Sequence, residues 1–372
     1  MVVGVPADLV IAKGTCFPVF AYEVAQAIDL DAAERRLLAG AERQTIKHKR
    51  RAPAYFEYEP APMRVARQAE EHALARYRTS PGVELVLYDF GAVSVSYAIP
   101  LAGAFAGAAG LASDLWGNER LLADSRGHVE RLLQDLGDAA VRPRIADFVE
   151  DYSIFLVEAF TDTCDAAALW TEYAPQVAQI LRAEPRTLSQ QEIGDATGSR
   201  LSFGPDDATF IDTDAALVFD PEGDDVRAVL EFANTQLLEM RFLDQQLDKA
   251  LDRVYESLLR RPERAWAVGS YGAELRRIAR LQLDGAILFE QVTNALKLVG
   301  EQYLARVYSL ASRRFHLGEW DASITRKLQT IDGVYAKLAD RAATRRMEVL
   351  EWIIIVLIAV SLAVSVVAGV SH

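Results

Sequence analysis

A run of 19 uncharged residues, 352–370, is the feature that most limits how this chain can fold. A helix of that length spans about 28 Å, close to the thickness of the hydrocarbon core of a bilayer. The alternative, a buried core helix, would need other parts of the chain to cover every face of it. We therefore predict a single transmembrane helix, with the lipid bilayer as its partner. The residues predicted to form this anchor are Trp352, Ile353, Ile354, Ile355, Leu357, Leu362 and Val366.

Basic residues before the run predict the orientation of this helix. Lys337, Arg341, Arg345 and Arg346 precede it, and no Lys or Arg follows it. Cytoplasmic flanks of membrane helices are enriched in Lys and Arg, so the residues before the run are expected in the cytoplasm. Residues 1–14 also lack the basic start of a signal peptide. We expect a single-pass protein of the plasma (inner) membrane with a cytoplasmic N-terminal domain.

Proline divides the rest of the chain. All 13 prolines lie at or before Pro262, and helix interiors exclude proline, so the C-terminal third is predicted to be helical. Residues before 220 alternate short Val-, Ile- and aromatic-rich runs with helical patterns. We predict an α+β chain in three parts: an α/β globular domain at residues 1–220, a bundle of long helices or coiled coil at 221–348, and the C-terminal transmembrane anchor at 349–372.

Local patterns predict the individual elements of the N-terminal domain. The predicted strands are residues 9–11, 55–58, 83–88, 92–99, 153–157 and 209–219. The predicted helices are residues 31–41, 63–78, 113–136 and 165–183. Ser113 and Asp165 are predicted N-caps, because their side chains can accept hydrogen bonds from the free N–H groups at a helix start.

Three rows of apolar residues at spacings of three or four follow residue 220, and each predicts one apolar stripe on a long helix. The first row is Leu237, Met240, Leu243, Leu247, Leu251, Val254 and Leu258. The second is Leu288, Val292, Leu296, Val299, Tyr303, Val307 and Leu310. The third is Ile324, Leu328, Ile331, Tyr335, Leu338 and Ala342. Such stripes pack within one chain or between copies, and we expect both a bundle and a homo-oligomer.

The charge of the chain argues against a broad nucleic-acid-binding surface. The net charge is −13, whereas binding to phosphates needs clustered Lys and Arg. One short run of this acidic chain is strongly basic. Its charged residues are Lys47, Lys49, Arg50 and Arg51. The run is a candidate patch for an anionic partner such as RNA, anionic lipid or an acidic protein, and the alternative is a solvated loop.

Motifs for chemistry are missing from the sequence. The glycines at 103, 107 and 110 match neither a P-loop nor a dinucleotide-binding turn. The acidic stretch from Asp220 has Asp225 where a calcium loop needs glycine, which favours a turn that caps a helix. We therefore predict no cofactor, no metal and no catalytic residue. Residues 90–113 carry no charge, so a second membrane contact there stays open.

Several segments together resemble the "required for meiotic nuclear division" proteins and their bacterial YagE-like relatives. The ending DRAATRRMEVLEWIIIVLIAVSL resembles that of the family, with the match at Arg345, Arg346, Glu351 and Trp352. Three upstream segments are also similar to the family: AYEVAQAIDLDAAERRL, LYDFGAVSVSY and LLEMRFLDQQLDKALDRVY. This resemblance implies a membrane-anchored α+β domain with C-terminal helices, homo-oligomers and no assigned enzymatic activity.

These observations lead to three hypotheses about function. The first is a non-enzymatic scaffold or tether that binds an unknown protein partner, oligomerises through its helices and is held at the membrane. The second is a ligand-binding or enzymatic α/β domain with its site near Asp89, Gly91 and the loop at residues 103–110. The third is a membrane tether associated with RNA or the ribosome through the basic run.

Overall fold

The structure is a computed structural model that describes residues 9–41, 61–259, 279 and 302–370, and the chain divides into two compact units. The first unit comprises residues 1–242 and 290–321, and the second comprises residues 243–289 and 322–372. The strands are β1 (Val10–Glu23), β2 (Ala27–Ile28), β3 (Met63–Arg67), β4 (Ala73–Leu74), β5 (Tyr77–Arg78), β6 (Val83–Leu87), β7 (Ala92–Tyr97), β8 (Ile99–Ala104), β9 (Ala140–Val141), β10 (Glu150–Phe160), β11 (Arg200–Leu201), β12 (Ala208–Ile211) and β13 (Ala215–Phe219). The helices are α1 (Leu30–Ala41), α2 (Gly107–Leu115), α3 (Glu119–Leu136), α4 (Ala166–Thr171), α5 (Ala174–Leu181), α6 (Gln190–Ala196), α7 (Asp224–Leu259), α8 (Gln302–Arg314) and α9 (Leu317–Val370).

The first unit contains a nine-stranded sheet. Its strand order is β11-β12-β13-β10-β1-β7-β6-β3, and β8 also pairs with β1. The long strand β1 is central to it. One side of β1 pairs with β10, and the other side pairs with β8 along its first part and with β7 along its last part. All pairings in this sheet are antiparallel except that of β10 with β13. The predicted α+β class, with an N-terminal sheet domain and C-terminal helices, is confirmed.

Helices cover both faces of the sheet, as the alternation along β7 shows. Successive side chains of a strand point to opposite faces. The Tyr97 hydroxyl donates a hydrogen bond to Asp124 of α3, whereas the Ser94 hydroxyl donates one to Glu231 of α7. All six residues of β7 are buried. The sheet therefore has an α3 face, which carries the main apolar core, and an α7 face.

Several elements predicted for the N-terminal domain differ from the structure. The strand predicted at 209–219 is two strands, β12 and β13, and the helix predicted at 165–183 is two helices, α4 and α5. The strand predicted at 55–58 lies outside the described residues.

Residues 63–78, predicted as a helix, form β3 and the β4–β5 hairpin instead. Ser113 lies inside α2 and caps no helix. The cap of α3 is Asn118, whose side chain accepts a hydrogen bond from the Leu121 N–H at 3.1 Å. The predicted cap Asp165 is confirmed, because it accepts the Ala168 N–H at 2.7 Å.

In the second unit, α7 and α9 bury part of the predicted apolar stripes. Leu243 and Leu247 are buried on α7, and Ile324 and Ile331 are buried on α9. The Lys327 ammonium links the two helices through ion pairs with α7 carboxylates at 2.7 and 2.6 Å. Of the second row, Val307 and Leu310 are buried in the first unit, whereas Leu288, Val292, Leu296 and Val299 lie outside the described residues.

Replacing Ile331 with aspartate is expected to destabilise the second unit by about 3 kcal/mol. Ile331 is 1% exposed, so the new carboxylate would be buried without a partner and the apolar contact would be lost. The measurement is thermal unfolding followed by helical circular dichroism. Gln329→Asp is the control, since Gln329 is an exposed residue of the same helix. Equal melting temperatures for the two variants would contradict the stripe assignment.

Candidate functional site

The C-terminal part of α9 presents large apolar side chains to its surroundings. Trp352 is 67% exposed, and the six residues from Ile353 to Ile358 are 49–62% exposed. Seven consecutive residues make almost two helical turns, so these side chains cover every face of the helix. Leu362 and Val366 belong to the same helix, but their side chains lie outside the described residues.

Within the described residues, we find no helix that is both long enough and apolar enough to span a bilayer. The predicted anchor runs to residue 370, whereas the side chains of α9 are described only as far as residue 358. The transmembrane helix therefore stays a prediction.

The basic residues singled out in the sequence are described only in part. Lys337 is exposed on α9. The side chains of Arg341, Arg345 and Arg346 lie outside the described residues. The run with Lys47, Lys49, Arg50 and Arg51 also lies outside them. Their roles in topology and in binding an anionic partner stay predictions.

Helix α7 packs a row of polar residues against the sheet. The sequence patterns did not predict this buried polar row. We define the α7 polar stripe as Arg227, Glu231, Thr235 and Glu239, which are spaced four apart and therefore share one side of the helix. All four are buried, with exposed fractions of 9%, 1%, 0% and 2%. Burial of such groups is costly unless they are paired, so their partners on the strands matter.

The first half of the α7 polar stripe is balanced in charge. The Arg227 Nη2 donates to Glu84 Oε1 at 3.0 Å, and the Arg64 Nη2 lies 3.4 Å from Glu231 Oε2. Arg64 also pairs with Glu84, and the Ser94 hydroxyl donates to Glu231 Oε1 at 2.7 Å. Burial would raise the pKa of Glu84, but the two arginines outweigh it and lower that pKa. Two guanidinium groups thus neutralise two carboxylates across β3, β6 and α7.

Three buried glutamates lie on the elements at the other end of the stripe. They are Glu23 at the end of β1, Glu150 at the start of β10 and Glu239 on α7. Glu23 is 4% exposed, and its burial and the charge of Glu239 raise the pKa of the Glu23 carboxyl. Glu150 is 7% exposed and forms an ion pair with Arg241. Burial raises the pKa of Glu150 to about 7, although Arg241 acts to lower it.

The α3 face carries a second polar constellation, around Asp124. Its Oδ2 accepts the Tyr97 hydroxyl at 2.6 Å and lies 3.2 Å from His72 Nε2 and 3.4 Å from His128 Nε2. Burial lowers the pKa of His128, although Asp124 acts to raise it. His72 and Asp124 are about one quarter exposed. A carboxylate orients two imidazoles here, which is an arrangement suited to holding or moving protons.

In the part of the chain that the structure describes, no group of three His, Cys, Asp or Glu side chains is arranged to hold a metal ion. Gly91, one of the residues near which a ligand site was predicted, packs closely against the segment at residues 24–26. The Gly91 carbonyl accepts the N–H groups of Val24 and Ala25, and a Cβ at Gly91 would lie 1.9 Å from the Ala25 oxygen. Gly91 has a φ of 105°, so this glycine serves a tight turn between β6 and β7.

The uncharged stretch at residues 90–113 belongs to the sheet domain. It contains β7, β8 and most of α2, and large side chains such as Tyr97, Ile99 and Phe105 pack into the core of the α3 face. Within this stretch Gly103 lies in β8, and Gly107 and Gly110 lie in α2. The loop predicted at 103–110 is therefore a strand end and a helix start.

A buried ion network holds α8 against the β12–β13 turn. Asp212 is completely buried, and its Oδ1 accepts the Arg314 Nη2 and Nε at 2.6 and 2.9 Å. Its Oδ2 lies 3.3 Å from Arg182 Nε. The Thr213 N–H donates to Oδ1 at 2.8 Å. The Asp212 carboxylate thus connects the C-terminal end of α5, helix α8 and the β12–β13 hairpin, and we assign it a role in stabilising the fold.

The sheet domain matches a known protein family. The family model described as "Uncharacterized protein MJ0711, N-terminal domain" matches residues 13–225, which is more than half of the chain. The chain belongs to this family. The MJ0711 N-terminal-domain match begins in β1 and ends at the start of α7, so it covers the nine-stranded sheet almost completely.

An archaeal relative supports the same assignment. The "Uncharacterized protein MJ0711" of Methanocaldococcus jannaschii is 23% identical over 194 residues, which cover 50% of this chain. The alignment spans 57% of the archaeal protein, so a large part of that protein has no counterpart in it. No solved structure matches the chain.

The resemblance to the "required for meiotic nuclear division" and YagE-like proteins is wrong. The sheet domain of this chain belongs to the different MJ0711 N-terminal-domain family. The motifs behind that resemblance were short. They were the apolar ending around Trp352, the helical segment from Leu237, and the two strand-containing segments from Ala21 and Leu87. Short apolar and helical patterns occur in unrelated proteins, so they do not identify a family.

Proposed function

We propose that this protein is a membrane-tethered scaffold, in which α9 holds the sheet domain at the cytoplasmic face of the plasma membrane. The observation that carries the proposal is the exposure of seven consecutive large apolar side chains at residues 352–358. Leaving them in water forgoes roughly 10 kcal/mol of transfer free energy. An apolar environment that removes these seven side chains from water is therefore strongly favoured.

The pattern of exposure favours lipid over a protein groove as that environment. A helix that docks in a groove has one apolar stripe and a polar back. Residues 352–358 are apolar on all sides, and the sequence stays uncharged to residue 370. A bilayer surrounds a helix on all sides, so it can cover all of these apolar side chains at once.

The orientation follows from the residues before the apolar run. Lys337, Arg341, Arg345 and Arg346 precede it, and the positive-inside rule keeps such flanks in the cytoplasm. The sheet domain belongs to the same side. Its proposed role is to present a partner-binding surface, and the helices of the second unit support a homo-oligomeric form of the tether.

Deletion of residues 352–372 tests this proposal. We expect the full-length protein to float with membranes in a density gradient after an alkaline wash, and the truncated protein to remain in the dense fractions. A matched truncation control is a chain in which residues 352–370 are replaced by an unrelated apolar membrane helix, which should float again. A truncated protein that still floats would refute the anchor.

The mass of the complex extracted in mild detergent tests the scaffold role. A multiple of the chain mass together with a reproducible co-purifying protein supports a homo-oligomeric scaffold. A monomer that carries a stoichiometric small molecule would overturn it and favour the ligand-binding alternative.

A further inference from the structure

We propose that the polar site around Asp124 is an acid-sensitive contact between α3 and the sheet, which holds while His128 is neutral and loosens when His128 takes up a proton. This inference concerns the sheet domain and does not depend on the membrane tether. It rests on the burial of His128, on a ring nitrogen that lacks a hydrogen-bond partner, and on the sharing of one carboxylate oxygen among three side chains.

The surroundings of the His128 ring suit one N–H group and not two. His128 is 3% exposed, and its Nε2 lies 3.4 Å from Asp124 Oδ2. Its Nδ1 is buried and has no hydrogen-bond partner among the described residues. A neutral imidazole carries an N–H on one nitrogen, whereas an imidazolium carries an N–H on both. The neutral ring can point its N–H towards Asp124, but a second proton would leave a buried donor without an acceptor.

The Asp124 carboxylate offers His128 little compensation for that second proton. Asp124 Oδ2 accepts the Tyr97 hydroxyl at 2.6 Å and lies 3.2 Å from His72 Nε2, so His128 is the most distant of these three neighbours. One carboxylate oxygen has about two lone-pair sites. The two nearer groups can occupy both sites, so a charged His128 gains no strong hydrogen bond from this oxygen.

The charges around His128 oppose a further positive charge. Burial lowers the pKa of His128, and the charges of Arg131 on α3, Arg67 on β3 and His72 lower it further. Asp124 acts in the opposite direction and does not outweigh them. The remaining charged or titratable groups at this contact are Asp135, which pairs with Arg67, Arg36 of α1, which pairs with Asp138, Tyr22 of β1 and Tyr97 of β7.

The sign of the pH effect follows from these shifts. The ordinary pKa of histidine is 6.5, and burial holds the pKa of His128 below it in the fold. The unfolded chain therefore binds this proton first, so the contact stabilises the fold above pH 6.5 and loses that effect as the pH falls below 6.5. Burial would raise the pKa of Asp124, but Tyr97 and the two imidazoles hold it below 3.8. Asp124 consequently stays charged at pH 5.

Hydrogen exchange of the full-length protein measures this contact. We expect the opening of α3 around residue 128 to increase at least about threefold when the pH falls from 7.5 to 5, after correction for the intrinsic exchange rate. Helix α5 serves as the internal reference, because it contains no titratable side chain. Equal protection of α3 at both pH values would overturn the proposal.

Matched substitutions assign the effect to His128. Glutamine is neutral at both pH values and keeps an N–H donor, so in His128→Gln the ratio of opening between pH 5 and pH 7.5 should fall below about 1.5. His316→Gln is the control, since the His316 side chain is 59% exposed in the turn before α9, and it should keep the full ratio. A full ratio in His128→Gln would show that another group is responsible.

Titration of the histidine rings in the unmodified protein avoids any dependence on variants. The chain contains five histidines, which can be labelled with ¹⁵N in the ring and followed by their nitrogen signals. We expect at least one ring to titrate below pH 6.5, with its proton on Nε2 above that pH. Titration of all five rings at or above pH 6.5 would refute the proposal. That outcome would leave the flotation experiments on α9 unaffected, so the two proposals fail separately.

Discussion

Replacing Leu357 and Ile358 together with lysine is expected to move the protein from the membrane fraction to the soluble fraction. Each lysine within the hydrocarbon core costs about 2–3 kcal/mol, so the pair costs roughly 5 kcal/mol. That free energy changes the partition between membrane and water more than a thousandfold. The measurement is the distribution of the protein between floated membranes and dense fractions after an alkaline wash.

The control for this experiment adds the same charge to the same helix outside the apolar run. Ala336 and Met347 are exposed residues of α9 that precede residue 352. The double variant Ala336→Lys and Met347→Lys should stay with the membranes. If the Leu357→Lys and Ile358→Lys variant floats as well as this control, residues 352–358 do not enter the bilayer.

Replacing Asp212 with alanine is expected to lower the free energy of unfolding of the sheet domain by about 3 kcal/mol. The substitution leaves Arg314 and Arg182 without the buried carboxylate that they share, and it removes the acceptor for the Thr213 N–H. For a unit of this size, the melting temperature should fall by about 6–12 °C. Thermal unfolding followed by circular dichroism measures this change.

Asp214→Ala separates the ion network from a simple change of charge. Asp214 lies two residues further along the same turn and is exposed. Its replacement should change the melting temperature by at most about 2 °C, because exposed groups contribute little. Similar losses for Asp212→Ala and Asp214→Ala would show that the buried network does not hold α8 in place.

Much of the sheet was predictable from local patterns, because its strands are apolar and rich in Val and aromatic residues. The strand predicted at 83–88 corresponds to β6, and the helix predicted at 31–41 corresponds to α1. Residues 63–78 were misassigned because Arg, Ala, Glu and Gln dominate them, and these residues favour helices. In the fold, Val65 of β3 is fully buried beside β6, and this pairing overrides the local preference.

The polar stripe of α7 could not be recognised in the sequence for a different reason. Polar residues spaced four apart predict a solvated face, and a buried polar face gives the same pattern. A buried polar face differs from a solvated one in having protein groups, rather than water, next to its polar side chains. Glu23 and Glu239 are separated by more than 200 residues along the chain, so only the fold brings them together. Arg64 and Glu231 are likewise distant in sequence.

The chemistry of the α3 face was hidden in the same way. His72 and His128 lie far apart in the sequence and belong to no metal-ligand motif. Asp124 and His128 share a helix at a spacing of four, which was a local signal, but many helices carry such pairs without function. The strand position of Tyr97 and the hairpin position of His72 complete the constellation, and neither is a local property.

The central position of β1 sets an order of events during synthesis of the chain. Strand β1 leaves the ribosome before its partners β7, β8 and β10, which follow about 70 to 140 residues later. At 5–20 residues per second, the 14-residue strand waits for several seconds or longer before both of its edges are paired. An unpaired strand of this length is a template for aggregation. A nascent chain that stalls before residue 150 therefore exposes the segment around which the whole sheet is later built.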